Sequence, residues 1–437
     1  MQALLSLEQA PPLSAPLRFF LTAPLFAILA GGLMLWSGPA LFESRWSAQA
    51  LAVTHLMTVG FMLQAMLGAL QQLLPVVAGA NIKRPLWIAT VVHITITLGA
   101  VCLVAAFLTS QPLLFTTAAV LLCLGLFVFI VAAARALKGV PDTSPVIRGL
   151  RLALLGLGVT VSLGLLLALS LGGSFKVPLV SLTNIHLGWG FVGWGCALLG
   201  AFGLTVVPMF QQTPAYPEWF SRYYSRSTVA ITLLWSVAEL VAWELVASIL
   251  SVGVVLMSAV FALSTLHLQR QSKRAKPDAT GRLWQIAMLS TLLAGALWLV
   301  ARVWPMVTQW QGWPLLFGVL VLFGGFMSVI IGMLYKIVPF LVWLHLHHQG
   351  RGRLIAPNMK KVLPQNRIDR QAMAHLLSVG LLVLAVCWPQ WLAYPAGMGL
   401  VLANGWLLHN LLLAMRVYRD HLAKLNAIPV SEAVARH

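Results

Sequence analysis

Charge is what this chain has least of. Of its 437 residues only 9% are Asp, Glu, Lys or Arg, against about 25% in soluble domains. That shortage excludes an ordinary water-soluble fold. Acid is scarcer still, with ten Asp and Glu against 28 Lys and Arg, a net charge of +18. The positive residues lie in short segments between apolar runs, where membrane topology accounts for them, so a nucleic-acid partner is not expected. Cysteine is sparse as well. Cys102, Cys123, Cys196 and Cys387 all lie inside apolar runs and form no CxxC pair, which argues against a disulfide framework or a zinc ribbon. Walker, GxSxG, HExxH and Rossmann patterns are missing, so no soluble-enzyme chemistry, proteolysis included, is indicated. Residues 1–16 carry no basic n-region and the first apolar run, after Arg18, is long enough to span, so a cleavable leader is not expected.

What the chain has in abundance is apolar sequence, 60% of the whole. Runs of about 20 apolar residues recur throughout, each sufficient to cross a ~30 Å hydrocarbon core. Twelve spans are expected, near 18–37, 47–77, 86–109, 112–134, 148–171, 178–210, 227–243, 245–268, 283–304, 314–346, 371–390 and 394–417. The fold class is therefore all-α, a polytopic membrane bundle of about twelve transmembrane helices. No loop is large enough to form a separate domain, so residues 1–437 make one integral membrane domain.

Spans 2, 6 and 10 are the longest, and they share a pattern. Gly68 leads to Pro75, Gly200 to Pro208 with one extra residue, and Gly332 to Pro339. The glycines recur every 132 residues, and a Gly-Phe step precedes each (Gly60-Phe61, Gly190-Phe191, Gly325-Phe326). A period this long is not a solenoid repeat, which would be roughly 20–50 residues. It reads as three pseudo-symmetric four-helix units, roughly 1–140, 141–275 and 276–437. Glycine permits close helix packing, and proline breaks the hydrogen-bond ladder near the end of a span.

Charge sets the orientation. Loops on the side of the termini hold 24 of the 28 basic residues, while the opposite side holds only Arg45, Lys176 and Arg302 and span 10 contains Lys336. This bias predicts a multi-pass protein of the inner (plasma) membrane with both termini cytoplasmic, and the lipid bilayer as its first partner.

Ionisable groups inside a bilayer are costly and mark candidate sites. Histidines 55, 93, 186, 375 and 409 lie deep in spans. His55 and His186 each fall about eight residues in from the outer end of spans 2 and 6, roughly 12 Å below the surface. They precede their Gly-Phe steps by five and four residues, so they occupy comparable places in the first two units, and span 10 has no counterpart. Two neutral imidazoles at one depth can converge on a metal. Met62 and Met66 follow His55 at i+7 and i+11, one face of an α-helix, and a thioether beside an imidazole suits Cu(I). The alternative for the histidines is a pair of core residues bonded to Ser, Thr or backbone; for the methionines it is gap filling. His93 and His409 each stand alone, which favours packing or an interhelical hydrogen bond. Arg302, at the outer end of span 9, is placed either to hold an anionic group such as a haem propionate or simply to flank the span.

Twelve helices in three groups of four, with histidines in the outer third of helices 2 and 6, resemble subunit I of the haem-copper oxidases and nitric oxide reductases. In that family helix 2 gives a low-spin haem ligand and helix 6 a copper ligand, the places that His55 and His186 match by position. The chain departs from it in two respects. Span 7 has no His-His pair and span 10 has no mid-membrane HxH; His345 and His347 have that spacing at the cytoplasmic end. A dioxygen-reducing haem-copper centre is therefore not expected. The chain is also similar to the NnrS-type membrane proteins in its twelve helices, its Ala15-Pro16-Leu17-Arg18-Phe19-Phe20 start and its His55…Pro75 helix, although it lacks their WHxHE segment.

The resemblance implies haem, and copper as a second cofactor, at His55 and His186, with Arg302, Met62 and Met66 the further candidates read from the residues themselves. It also implies a role in respiratory redox chemistry, metal handling or nitric oxide response, with a cytochrome or quinol as redox partner. Two other readings stand beside it. One is a cofactor-free transporter or permease whose path is lined by Gln64, Gln71, Gln72, Asn184, Tyr335 and Lys336; the other is an assembly subunit whose ligands have decayed.

Overall fold

The protein is described by a computed structural model covering residues 7–141, 144–350 and 354–428. The basic residues Arg351, Arg353 and Arg436, counted above, lie outside the described residues. Twelve long helices follow one another: α1 (Ser14–Ser37), α2 (Ala48–Ala78), α3 (Pro85–Thr109), α4 (Pro112–Lys138), α5 (Pro145–Leu171), α6 (Leu179–Gln211), α7 (Glu218–Leu240), α8 (Glu244–Arg270), α9 (Ala279–Val303), α10 (Trp313–Gly350), α11 (Gln365–Cys387) and α12 (Pro389–Asn426). No strand occurs among the described residues. This is an all-α polytopic bundle.

Eleven of the twelve are long and apolar enough to cross a membrane. The exception is α7, whose first half carries Glu218, Arg222 and Arg226. Its buried face is unusually rich in hydroxyls: Thr228, Thr232 and Ser236 each donate to the carbonyl four residues earlier. Back-bonding of this kind satisfies a hydroxyl within its own helix, so it can be buried without an outside partner.

Local chemistry explains many of the boundaries. Proline stands in the first turn of α3, α4, α5 and α12, where its missing N–H costs nothing. Ser47, Ser144 and Asp278 cap α2, α5 and α9 by accepting from backbone N–H groups, which satisfies donors the helix cannot.

The helices form two layers. In the most apolar window of α2, α6 and α10, 72% of residues are buried, against 22–50% in the other eight candidate spans. These three helices form the interior. The rest enclose them in the order α1, α3, α4, α5, α7, α8, α9, α11, α12 and back to α1. Each interior helix packs along the helix that immediately precedes it, α1, α5 and α9 in turn, so one packing order recurs three times. Large apolar side chains such as Leu113, Phe127, Leu245 and Leu293 are exposed on the outer ring, as a lipid-facing surface requires. On the side away from the basic loops, Trp36, Trp46, Trp243, Trp304, Trp388 and Trp391 are exposed at the helix ends, forming an aromatic belt at one membrane interface.

The interior helices share a second feature. Each contains an eight-residue π-helical segment: Leu56–Leu63, Trp189–Cys196 and Leu320–Met327. Every one begins nineteen residues before the proline of its helix, at Pro75, Pro208 and Pro339. The true register between the helices is therefore set by the π segment and the proline. In that register Gly68 and Gly332 align with Ala201, the residue after Gly200. The contacts agree. A Cβ on Gly68 would press on Phe19 and Phe20 of α1, and one on Gly332 would meet Trp284 and Thr280 of α9, but one on Gly200 would strike Tyr224 of α7. The extra residue between Gly200 and Pro208 turns that glycine onto a different neighbour. The prolines also lie within their helices: α10 continues past Pro339 to Gly350.

Candidate functional site

The π segments matter because all three line one cavity. It has a volume of about 1280 Å³ and occupies the half of the bundle away from the basic loops. Its wall is mainly apolar, with Met62 and Leu63 from α2, Phe191 and Trp194 from α6, and Phe323 and Phe326 from α10. A π turn interrupts the regular ladder and redirects side chains, which is why such segments concentrate at functional sites. Below it, toward the basic side, the interior helices meet around a small void of about 60 Å³ lined only by apolar residues, among them Met66, Phe202 and Met333. The cavity thus has an apolar floor.

His55 and His186 both line this cavity. Each is the eighth residue of its helix, so the expected depth match holds. Their register is not equivalent, however. His55 directly precedes its π segment, whereas Leu187 and Gly188 separate His186 from the next one. The two-residue offset aims the side chains in different directions relative to their own helices, and both still reach one cavity.

Both rings are held in the same way. His55 Nδ1 lies 2.8 Å from the Leu51 carbonyl oxygen, and the ring packs on Phe107 with centroids 5.0 Å apart. His186 Nδ1 lies 3.1 Å from the Thr160 carbonyl oxygen on α5. The ring sits over Gly164, where a Cβ would come within 3.1 Å of Cε1. A carbonyl only accepts, so Nδ1 must carry the hydrogen in both. In a neutral imidazole Nε2 then holds a bare lone pair. Neither Nε2 has a hydrogen-bond partner among the described residues. This tautomer, fixed by a backbone carbonyl, is the one that a metal-ligating histidine adopts.

The methionines separate. Met62 lines the cavity, but Met66 lies in the apolar floor. The spacing i+7, i+11 places both on one face only in a continuous α-helix, and the π segment at Leu56–Leu63 breaks that periodicity. Met66 is thus a core residue, which corrects the expectation that it joins the site. Arg302 does line the cavity; it donates to Ser251 Oγ at 3.0 Å and lies over Trp298 at 4.9 Å.

Two charged lining residues were not singled out from the sequence as part of the site. Arg45 lines the cavity and rests over Trp46 at 4.6 Å, and Glu239 lines it as well. A signal for Arg45 was present: Arg45 and Arg302 are two of only three basic residues expected on that side of the membrane.

The other histidines are accounted for elsewhere. His93 Nε2 pairs with Thr22 Oγ1 at 2.8 Å, and Phe19 meets its ring edge-on. His345 pairs through its two nitrogens with the Leu341 and Pro11 carbonyls. His409 is exposed on α12. Of the residues expected to line a transport path, Asn184 lies on the cavity wall, and Gln64, Gln71, Gln72, Tyr335 and Lys336 do not.

Among the described residues, no three of His, Cys, Asp and Glu cluster closely enough to hold a metal ion. For a bare copper ion this wall offers the two imidazoles and, among its sulfur groups, the Met62 thioether of α2. A haem brings four ring nitrogens of its own and needs only axial ligands, so two imidazoles suffice. The mainly apolar wall suits a macrocycle, and Arg45 and Arg302 suit its carboxylates.

Taken together, these features define a multi-pass membrane protein with an internal, histidine-bearing cavity. The chain matches no protein-family model, and no curated protein matches it.

Proposed function

We propose that this protein binds haem in the membrane, where His55 and His186 would hold it through Nε2 and Arg45 and Arg302 would neutralise its carboxylates. One observation carries the reading: two imidazoles from different helices each give Nδ1–H to a backbone carbonyl and leave Nε2 unpartnered on the wall of one apolar cavity. A haem there would supply one-electron chemistry. The protein's own part is to orient the two rings, exclude water with the apolar wall, and neutralise the carboxylates. Copper, with Met62 as a third donor, is a weaker fit to the same wall. The role that follows is redox chemistry, metal handling or nitric oxide response at the inner membrane, with a cytochrome or quinol as electron partner and the basic loops facing the cytoplasm.

The test is optical. Protein purified in detergent from haem-replete cells should show a Soret band. His55→Ala and His186→Ala should each weaken or remove it while the protein still inserts and elutes as a single species. A colourless wild-type protein that also fails to take up added haem overturns the reading.

A further inference from the structure

Part of the cavity wall belongs to α7, α8 and α9, which bring no histidine to it. On α9, Met288, Thr291, Gly295, Trp298 and Arg302 line the cavity, a spacing of i, i+3, i+7, i+10 and i+14 that keeps to one helical face. On α8, Ser251, Val254, Ser258 and Phe261 do the same at i, i+3, i+7 and i+10. These two helices pack along one another, so their faces form a groove. Its hydroxyls are occupied: Thr291 donates to the Ala287 carbonyl, and Ser258 pairs with Cys196. The groove is otherwise apolar. From Trp298 to Met288 it descends about 15 Å at 1.5 Å per residue, the depth of one leaflet in a ~30 Å hydrocarbon core.

The end of this groove away from the basic loops carries opposite charges at one level. Glu239 and Arg302 are each the last residue but one of their helices, α7 and α9. Each follows an indole by one turn, Trp235 and Trp298, and all four side chains line the cavity. The exposed Trp243 and Trp304 of the aromatic belt come four and two residues later, which sets the level at the membrane interface. Arg302 is held by Ser251 and Trp298. The Glu239 side chain makes no ion pair or hydrogen bond among the described residues.

A helix C-terminus favours a cation and disfavours a carboxylate. Arg302 suits the end of α9, whereas Glu239 opposes the end of α7 with nothing in the fold to compensate it. A cation is what that corner lacks. An ammonium there would meet the carboxylate, the helix end and, one turn deeper, the Trp235 ring, which attracts cations to its face. Across α8, the Arg302 guanidinium calls for an anion, and a phosphate takes charge-assisted hydrogen bonds from it. An ammonium and a phosphate at the membrane interface, above an apolar groove one leaflet deep, describe a single kind of molecule.

We propose that α7, α8 and α9 hold one zwitterionic phospholipid from the leaflet away from the basic loops. Its ammonium lies at Glu239 and Trp235, its phosphate at Arg302, and one acyl chain runs down the groove toward Phe261 and Met288. The pairing selects the headgroup: an anionic lipid offers Glu239 no cation and brings a second negative charge beside it. Seated there, the lipid covers the apolar groove and pairs the one wall carboxylate that the fold leaves alone. His55, His186 and Arg45 take no part, so the site stands without haem. A guanidinium has five N–H donors, and Arg302 gives one to Ser251, which leaves enough to hold a phosphate beside a haem carboxylate.

The experiment uses the full-length protein, delipidated in mild detergent and titrated with dioleoyl phosphatidylethanolamine or dioleoyl phosphatidylglycerol, with bound lipid counted by native mass spectrometry. Wild-type protein should hold one phosphatidylethanolamine about tenfold more tightly than phosphatidylglycerol, the worth of one charged hydrogen bond. Glu239→Gln should erase that preference. Gly295→Leu, which fills the groove against Val255, should weaken both lipids; if it fails to insert, Ser258→Leu takes its place. Glu244→Gln removes a carboxylate from the exposed start of α8 and should leave the preference unchanged. A wild-type protein without the preference, or a Glu239→Gln protein that keeps it, overturns the proposal. Displacement of the lipid by an equal concentration of glycerophosphoethanolamine, the headgroup without its chains, also overturns it. Absorption spectra of the same samples separate the two readings: lipid selectivity without haem overturns haem binding alone, and haem without selectivity overturns the lipid site alone.

Discussion

The ion pair between Lys336 and Asp278 offers a quantitative test of the packing between α9 and α10. Lys336 lies three residues before Pro339, and its Nζ is 2.6 Å from Asp278 Oδ2. The same carboxylate holds Arg274 at 2.5 Å and caps α9 by accepting from the Gly281 N–H at 2.9 Å. Their side chains are only 20% and 18% exposed. Burial alone would raise the Asp278 carboxyl. The hydrogen bonds from Lys336 and Gly281, with the charges of Lys336 and Arg274, outweigh it, so the group lies below its ordinary value. Asp278→Asn keeps a capping oxygen but strands the ammonium. Stranding a fully buried charge costs about 3–5 kcal/mol; partial exposure and the reach of a lysine toward the interface reduce this to roughly 2–3 kcal/mol. Lys336→Met should cost less, about 1 kcal/mol, because Arg274 and the cap remain. The double variant should recover most of the Asn loss, giving a coupling of about 2 kcal/mol. The assay is unfolding by SDS titration in mixed micelles, followed by helical circular dichroism. The sign of the pH dependence is fixed as well. A depressed carboxyl contributes fully above its unfolded value of about 3.9, and the contribution is lost as pH falls through the lower folded value. The wild-type advantage over Asp278→Asn should therefore persist at neutral pH and shrink in acid below about pH 4. A double variant no more stable than Asp278→Asn alone would refute the argument.

Other predictions follow from the same geometry. Gly200→Ala drives a methyl into the Tyr224 ring, whereas at Gly332 the nearest atom is 3.3 Å away; the first should cost about 1–3 kcal/mol and the second less than about 1 kcal/mol. Equal losses on SDS titration would contradict the packing described. Met66→Leu should leave any haem absorption unchanged, because Met66 lies in the floor and not on the cavity wall; a shifted band would return Met66 to the site. In a Cys387→Ser background, Lys276→Cys should react with a membrane-impermeant maleimide only in inverted vesicles and Ser174→Cys only in right-side-out ones. The reverse pattern would invert the topology.

Sequence alone determined that this chain is a helical membrane protein, because apolar length and the scarcity of charge leave a bilayer as the only compatible solvent. It also carried the special status of helices 2, 6 and 10, since a Gly-to-Pro pattern with a fixed period survives in one dimension. The depth of His55 and His186 was legible for the same reason: distance along a helix is a residue count. Direction was not. The three π segments shift the angular phase within each helix, so the grouping of His55 with Met66 failed and the equivalence of Gly200 with Gly68 slipped by one residue. Only the tertiary structure decided that two imidazoles from separate helices share one cavity and that Arg45 joins Arg302 there. It alone revealed that Glu239 and Arg302 both turn onto the same wall. These relations depend on helix rotation and on which neighbour each face meets, and both are set by packing between segments far apart in the chain.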